Sequence, residues 1–168
     1  MKLNSSKFPN FEYEKGDWIM EKISNGQQTI WFDVEEELTE DEQAMEIVAE
    51  MLDDSDALVE TARDYLKKAL ADWKNKYHRT VKFFLNFHKK HTEKEARAAL
   101  LPVEDLSKLS LTDMIDYLKM KRFGSYVDSD TKQQAFIMDL SLNPAVTDEL
   151  LVIHFNLERQ VTRVAHES

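Results

Sequence analysis

The stretch of sequence that decides the fold lies at residues 18–33 and reads WIMEKISNGQQTIWFD. Apolar and polar residues alternate on both sides of Asn25-Gly26, a dipeptide whose two residues favour the positive φ angles of a tight hairpin turn. A two-residue loop at these positions would place Ile19 opposite Phe32. The pattern therefore predicts an N-terminal β-hairpin within strands at about residues 11–33.

Both faces of this hairpin are partly apolar, so one face can pack on a core while the other needs a cover. Trp18, Met20 and Trp31 lie together on the second face. Trp and Met are typical anchors of protein–protein surfaces, and we name these three residues as a candidate interaction site. Alternatively, the aromatic N-terminal segment at residues 8–13 covers them. An uncovered face would favour a homodimer.

The middle of the chain, at about residues 40–121, has the pattern of a helical layer. Thr39 and Glu42 have the spacing of a capping box, which marks the start of a helix. Apolar residues then recur at helical intervals. Neither Pro nor Gly interrupts residues 57–90, so this part predicts one long helix or two helices that join near Asn75.

Strand patterns return at about residues 123–166. Residues 135–142 alternate, residues 150–157 form an apolar run of strand length, and residues 161–166 alternate again. Strands at both ends with helices between them predict an α+β fold, in which helices cover one face of an antiparallel sheet. The length fits a single domain over residues 1–168.

Charge is distributed unevenly along a chain whose formal net charge is −10. Residues 33–62 hold 13 acidic residues and no Lys or Arg, whereas residues 63–97 hold 11 basic and 4 acidic residues. Either adjacent helices expose these charges to water and attract each other, or the acidic block binds a basic protein partner. Glu42, Glu46 and Glu50 follow at four-residue steps and form one stripe of a helix, so we name them as candidate interaction residues.

Composition excludes several classes of function. The absence of Cys excludes disulfides, thiolate metal sites and cysteine nucleophiles, and the three glycines lie too far apart for a phosphate-binding loop. The acidic net charge argues against nucleic acid and anionic membranes as partners. There is neither a signal-peptide pattern nor an apolar run of about 20 residues that could span a bilayer. We therefore predict a cytoplasmic protein without a cofactor.

Two histidines lie close together in sequence and resemble part of a metal site. His88 and His91 are three residues apart, and Glu95 could supply a third ligand. However, Thr92 and Glu95 form a second capping box, which places the histidines at the end of one helix and Glu95 in the next. We therefore predict no metal site at these residues.

Asp139 lies in the middle of a predicted strand, where Asp is uncommon. If its face is covered, the carboxylate needs a partner; if its face is solvated, Asp139 is the polar half of the alternation. The alternation by itself favours the solvated position. His154, also within a strand, has no partner that the sequence identifies.

The end of the chain carries a resemblance to known proteins. Residues 136–144, residues 147–155 and the ending at residues 165–168 (Ala-His-Glu-Ser) resemble the tail of an uncharacterised bacterial domain-of-unknown-function family. The Trp-rich hairpin followed by acidic helices is similar to the same family. The resemblance implies a bacterial cytosolic protein and transfers no catalytic residue. In size and charge the chain is also similar to small acidic bacterial immunity proteins, which neutralise toxins by plugging their active sites.

These observations predict a non-enzymatic protein-binding module, of the immunity type, that meets a basic partner through its acidic block. The alternative is a small hydrolase or metal-dependent enzyme that uses scattered carboxylates and histidines.

Overall fold

The computed structural model describes residues 1–90 and 94–168. In chain order the elements are β1 (Ile19–Ser24), β2 (Thr29–Val34), α1 (Glu36–Thr39), α2 (Glu42–Asp53), α3 (Ser55–Ala71), α4 (His78–Lys90), α5 (Lys94–Leu100), a 3₁₀ turn (Leu106–Lys108), α6 (Leu111–Ile115), β3 (Lys119–Val127), β4 (Gln134–Ser141), β5 (Leu150–Phe155) and β6 (Val161–Glu167). Along the chain, the helices come after the first two strands and before the last four, which confirms the predicted α+β fold.

The six strands form one sheet in the order β1-β2-β3-β4-β5-β6. Four of its strand pairs are antiparallel, but β2 and β3 are parallel, so the prediction of an antiparallel sheet is wrong at this pair. Parallel neighbours need a long crossover connection, and here the helical segment supplies it. The two strands approach closely at Gly124, where an added Cβ would lie 2.5 Å from the carbonyl oxygen of Asp33.

The hairpin forms with a register that differs by two residues from the predicted one. Ile19 pairs with Val34 rather than with Phe32, because the two-residue loop consists of Gly26 and Gln27. The φ angle of Gly26 is +86°, and Gly at the first loop position is typical of a type II′ turn. A shift of two residues matches the period of a strand, so every side chain keeps its predicted face.

All of the sheet's large core residues lie on the face that packs against the helices. Helix α1 contacts β3, while α3 and α4 contact the far end of the sheet at β5 and β6. The phenylalanines of this face are fully buried, namely Phe32, Phe123, Phe136 and Phe155. A helical layer therefore covers one face, as predicted.

The residue that caps the N-terminus of α2 differs from the one that the capping-box spacing predicts. Asp41, rather than Thr39, caps α2, and its side chain accepts hydrogen bonds from the backbone N–H groups of Gln43 and Ala44. Thr39 lies in the preceding helix α1, where its buried hydroxyl donates to the carbonyl of Asp17 at 2.9 Å. The prediction that Thr39 caps the helix containing Glu42 was therefore wrong, because Thr39 belongs to the short helix that precedes it.

The long helical pattern resolves into two helices, α3 and α4, with a break at residues 72–77. At the break, the side chain of Asn75 accepts a hydrogen bond from the backbone N–H of Tyr77 at 2.8 Å. This confirms the alternative of two helices that join near Asn75.

The N-terminal segment packs on the helical side of the sheet. Asp53 fixes it by accepting hydrogen bonds from the hydroxyl of Ser5 at 2.6 Å and from the N–H of Lys7 at 3.0 Å. Phe11 contacts Phe32 edge-to-face, with ring centroids 5.3 Å apart. Since Phe32 points to the helices, the segment does not cover the opposite face of the hairpin.

Candidate protein-interaction surfaces

The sheet face that points away from the helices, which we call the open face, carries the predicted Trp and Met residues. Trp31 alternates with core residues of β2 and is partly buried, while Trp18 is 55% exposed and Met20 is 50% exposed. The structure therefore brings the three residues together on an accessible surface. The alternative in which residues 8–13 cover them is wrong.

A hydrogen-bonded ion network crosses the open face beside these anchors. Arg122 donates to Asp139 through Nε at 2.8 Å and through Nη2 at 2.9 Å, and its Nη1 contacts Asp33 at 3.2 Å. The indole N–H of Trp18 donates to the other oxygen of Asp33 at 2.7 Å. The network thus connects the start of the hairpin with β2, β3 and β4.

Asp139 is 7% exposed, so the prediction that it is solvated was wrong. It pairs directly across the strands with Arg122, whose fork matches a carboxylate in two parallel hydrogen bonds. Burial opposes the charge of Arg122, but the hydrogen bonds to Asp139 and Asp33, together with the negative charges of both carboxylates, outweigh burial and raise the pKa of the guanidinium. Part of this pairing could be predicted from sequence, because opposite charges on two adjacent strands predict an ion pair once the register is known.

A Tyr–His pair extends the polar part of the open face. The hydroxyl of Tyr126 lies 2.6 Å from Nδ1 of His154. Burial, together with the positive charges of Arg163 and Arg122, lowers the pKa of His154. Burial and the charge of Asp128 raise the pKa of Tyr126. Because these shifts favour the neutral ring and the neutral phenol, we assign the hydroxyl as the donor and Nδ1 as the acceptor.

The acidic candidates lie in the helical layer, on the other side of the sheet from the Trp and Met residues. Glu42, Glu46 and Glu50 are exposed on α2, as the four-residue spacing predicts. The structure therefore keeps the two sets of candidate residues apart, and they form two separate surfaces.

The acidic block divides into a paired part and an unpaired part. Four of its carboxylates form ion pairs, namely Asp33, Asp54, Asp56 and Glu60. Within residues 1–90 and 94–168, no ion pair involves the exposed glutamates of α1, α2 and the segment between them, Glu36, Glu37, Glu40, Glu42, Glu46 and Glu50. We call these six residues the acidic surface.

The basic block does not neutralise the acidic surface. In the part of the chain that the structure describes, the ion pair between the two blocks joins Glu60 to Arg63, which are neighbours on α3. Other basic residues pair elsewhere, as Lys67 does with Asp116 at 2.6 Å. The negative charge of α1 and α2 is therefore free to act on a partner.

His88, the first of the two weighed metal ligands, is fully buried in α4. Its Nδ1 donates to the carbonyl of Phe84 at 2.8 Å, and its Nε2 accepts from the hydroxyl of Thr147 at 3.0 Å, so both nitrogens are engaged. Burial lowers the pKa of His88. Among the described residues, no group of three His, Asp or Glu side chains could hold a metal ion. His91 and Thr92, and with Thr92 the second capping box, lie outside these residues.

Comparison with known proteins finds no matching family model, no matching curated protein and no matching solved structure. The resemblances to a bacterial family and to immunity proteins therefore stay predictions, as does the enzyme alternative. Across the described ranges, no helix is long and apolar enough to cross a membrane.

Proposed function

We propose that this chain is a non-enzymatic cytoplasmic protein-binding module that meets a basic protein partner through its acidic surface. The observation that carries the proposal is that six exposed glutamates on α1, α2 and the segment between them have no ion-pair partner among the described residues. An immunity-type role, in which the partner is a toxin with a basic site, is the form of this proposal that the resemblance suggests.

The acidic surface has the properties of an electrostatic docking site. Complementary charge accelerates association and suppresses wrong partners, and its effect falls with salt because the Debye length is about 8 Å at physiological ionic strength. The helix α2 that carries part of this surface is also fixed in position, because buried residues such as Val48 and Leu52 pack it against the core. The backbone positions of the α2 glutamates are therefore fixed before a partner arrives.

The test uses charge reversal with a matched control. The variant Glu42→Lys/Glu46→Lys/Glu50→Lys changes the acidic surface. The control reverses three exposed carboxylates elsewhere, Asp130→Lys, Asp148→Lys and Glu158→Lys. Both variants change the net charge by +6, so a general effect of charge is the same in both.

Each protein is used to capture partners from a lysate of the source organism, and the recovered basic protein is then purified and its affinity measured by calorimetry. We expect the acidic-surface variant to bind at least tenfold more weakly at low salt, and to lose most of the salt dependence. The control should retain wild-type affinity. Equal affinities of the two variants would contradict the proposal.

A further inference from the structure

We infer that the open face is the interface with a second copy of this chain, in a two-fold dimer that packs sheet against sheet. This interface is separate from the acidic surface and does not depend on the proposed function. The inference rests on the charge, the position and the area of the open face, together with its exposed apolar anchors.

The charges of the open face nearly cancel, although the whole chain carries −10. By strand register, its charged residues comprise four basic and three acidic side chains, namely Lys22, Lys119, Arg122, Arg163, Asp33, Asp139 and Glu167. The central charges are paired with one another in the network of Arg122. Two open faces can therefore meet without bringing uncompensated charge of one sign together.

The position of the acidic surface makes self-association through the open face favourable compared with other arrangements. Packed sheets lie about 10 Å apart, and a helical layer lies about another 10 Å behind each sheet. Helix α2, which carries Glu42, Glu46 and Glu50, would then be roughly 30 Å from its copy, several Debye lengths at physiological salt, whereas Glu40 lies nearer the open face, beside Gly16. A contact through the helices would instead bring the two acidic surfaces close together. A second copy therefore fits the open face best.

The area of the open face matches what a dimer needs. Six strands at about 4.8 Å spacing and about 20 Å in length give a footprint of roughly 600 Å² per copy. The pair would bury about 1,200 Å², which is at the lower end of the range for stable protein–protein interfaces.

The apolar anchors supply the driving force. Trp18 and Met20 are each about half exposed, and Trp31 lies beside them. In a two-fold interface both copies use the same patch, so each anchor residue is buried in both copies. Trp is among the residues that carry most of the energy at interfaces.

The first experiment measures self-association by sedimentation velocity over a range of concentrations. We expect the wild type to dimerise and the variant Trp18→Ser/Met20→Ser to raise the dimer dissociation constant about 30-fold or more, because each substitution occurs in both copies. The matched control is Trp73→Ser, which removes an indole that is 76% exposed in the helical segment. This control should dimerise like the wild type. Circular dichroism checks that each variant folds.

The second experiment locates the interface and benefits from the absence of Cys in the chain. A spin label at Lys22→Cys on the open face should give a short distance between the two copies. A label at Glu46→Cys on α2 should give a distance longer than about 30 Å. A wild type that stays monomeric would overturn the inference. So would a dimer that Trp73→Ser dissociates, or one in which the label at residue 46 gives the shorter distance.

Discussion

The two faces of the sheet are formed by the same strands, but they achieve order in different ways. Under the helices, the face is apolar and dry, and Phe123 and Phe136 stack there with ring centroids 6.2 Å apart. On the open face, order comes from hydrogen bonds that Arg122 makes to two carboxylates. One face is therefore held by removal of apolar area from water, and the other by pairing of partly buried charge.

A sheet face that no helix covers can still hold its side chains in a defined arrangement. Burial of apolar area is non-directional, whereas a guanidinium and two carboxylates have to meet with correct geometry. The network fixes the side chains of Trp18, Asp33 and Asp139 on one surface. The face is therefore preorganised for contact, which lowers the entropy cost of binding.

The largest expected effect concerns the covered face. Substitution Phe123→Ala removes a fully buried ring and should lower the free energy of unfolding by about 3–5 kcal/mol, because a cavity remains. Urea denaturation measures the change. The control Phe83→Ala removes a ring that is 58% exposed and should change stability by less than about 1 kcal/mol. Equal losses for both variants would show that the covered face is not the main source of stability.

The next effect tests the pairing on the open face. Substitution Arg122→Met leaves Asp139 buried without its partner and should lower the free energy of unfolding by about 3 kcal/mol. The double variant Arg122→Met/Asp139→Leu removes the buried charge as well and should recover most of this loss. Both values come from urea denaturation at pH 7. If the double variant is less stable than Arg122→Met, charge pairing does not explain the order of this face.

A smaller effect is expected in the pH dependence of stability, which two histidines on opposite sides of the sheet contribute to. Burial lowers the pKa of both His88 and His154 below the ordinary value of 6.5. As pH falls below about 6.5, the unfolded chain takes up protons that the folded chain resists, so stability is lost on acidification and unaffected by these groups above that pH. Denaturation at several pH values between 5 and 8 measures the slope.

We expect His88→Gln to remove more of this acid sensitivity than His154→Gln. His88 is fully buried, whereas His154 keeps part of its surface in solvent. The comparison uses the slope with pH rather than the absolute stability, since each substitution also changes hydrogen bonds. An unchanged slope in both variants would contradict the assignment of neutral, buried imidazoles.

The smallest effect on stability belongs to an anchor of the open face. Substitution Met20→Ala should change the free energy of unfolding of the monomer by less than about 0.5 kcal/mol, because the side chain is half exposed. Dilute samples, below the concentration of self-association, are used for this measurement. A loss above about 2 kcal/mol would mean that Met20 is part of the core rather than a surface for contact.

Part of the candidate surface could be predicted from sequence because strands and helices have fixed periods. Alternation in the hairpin placed Trp18, Met20 and Trp31 on one face, and an error of two residues in the register did not alter this result. The four-residue spacing in α2 likewise predicted that Glu42 and Glu46 share an exposed stripe.

Other features could not be predicted, since they depend on which elements become neighbours. The pairing of Arg122 with Asp139 needs the register of β3 on β4, and the contact with Asp33 needs β2 to lie beside β3. Local alternation carries no information about a strand that is 89 residues away in sequence, as Asp33 is from Arg122. The N-cap at Asp41 could not be predicted for a related reason: Thr39 is buried by tertiary contacts and belongs to the separate helix α1.

The sequence alone was enough to predict the fold class, the helical pattern over residues 57–90, the faces of the hairpin and the exposed acidic stripe. These features follow from local periodicity, which acts over a few residues. The tertiary structure was needed to show that β2 and β3 are parallel, that Asp139 is buried in an ion network, and that the glutamates of α2 and the Trp residues lie on opposite sides of the sheet. These features depend on chain crossovers and on contacts between distant residues, and packing of the whole core selects them.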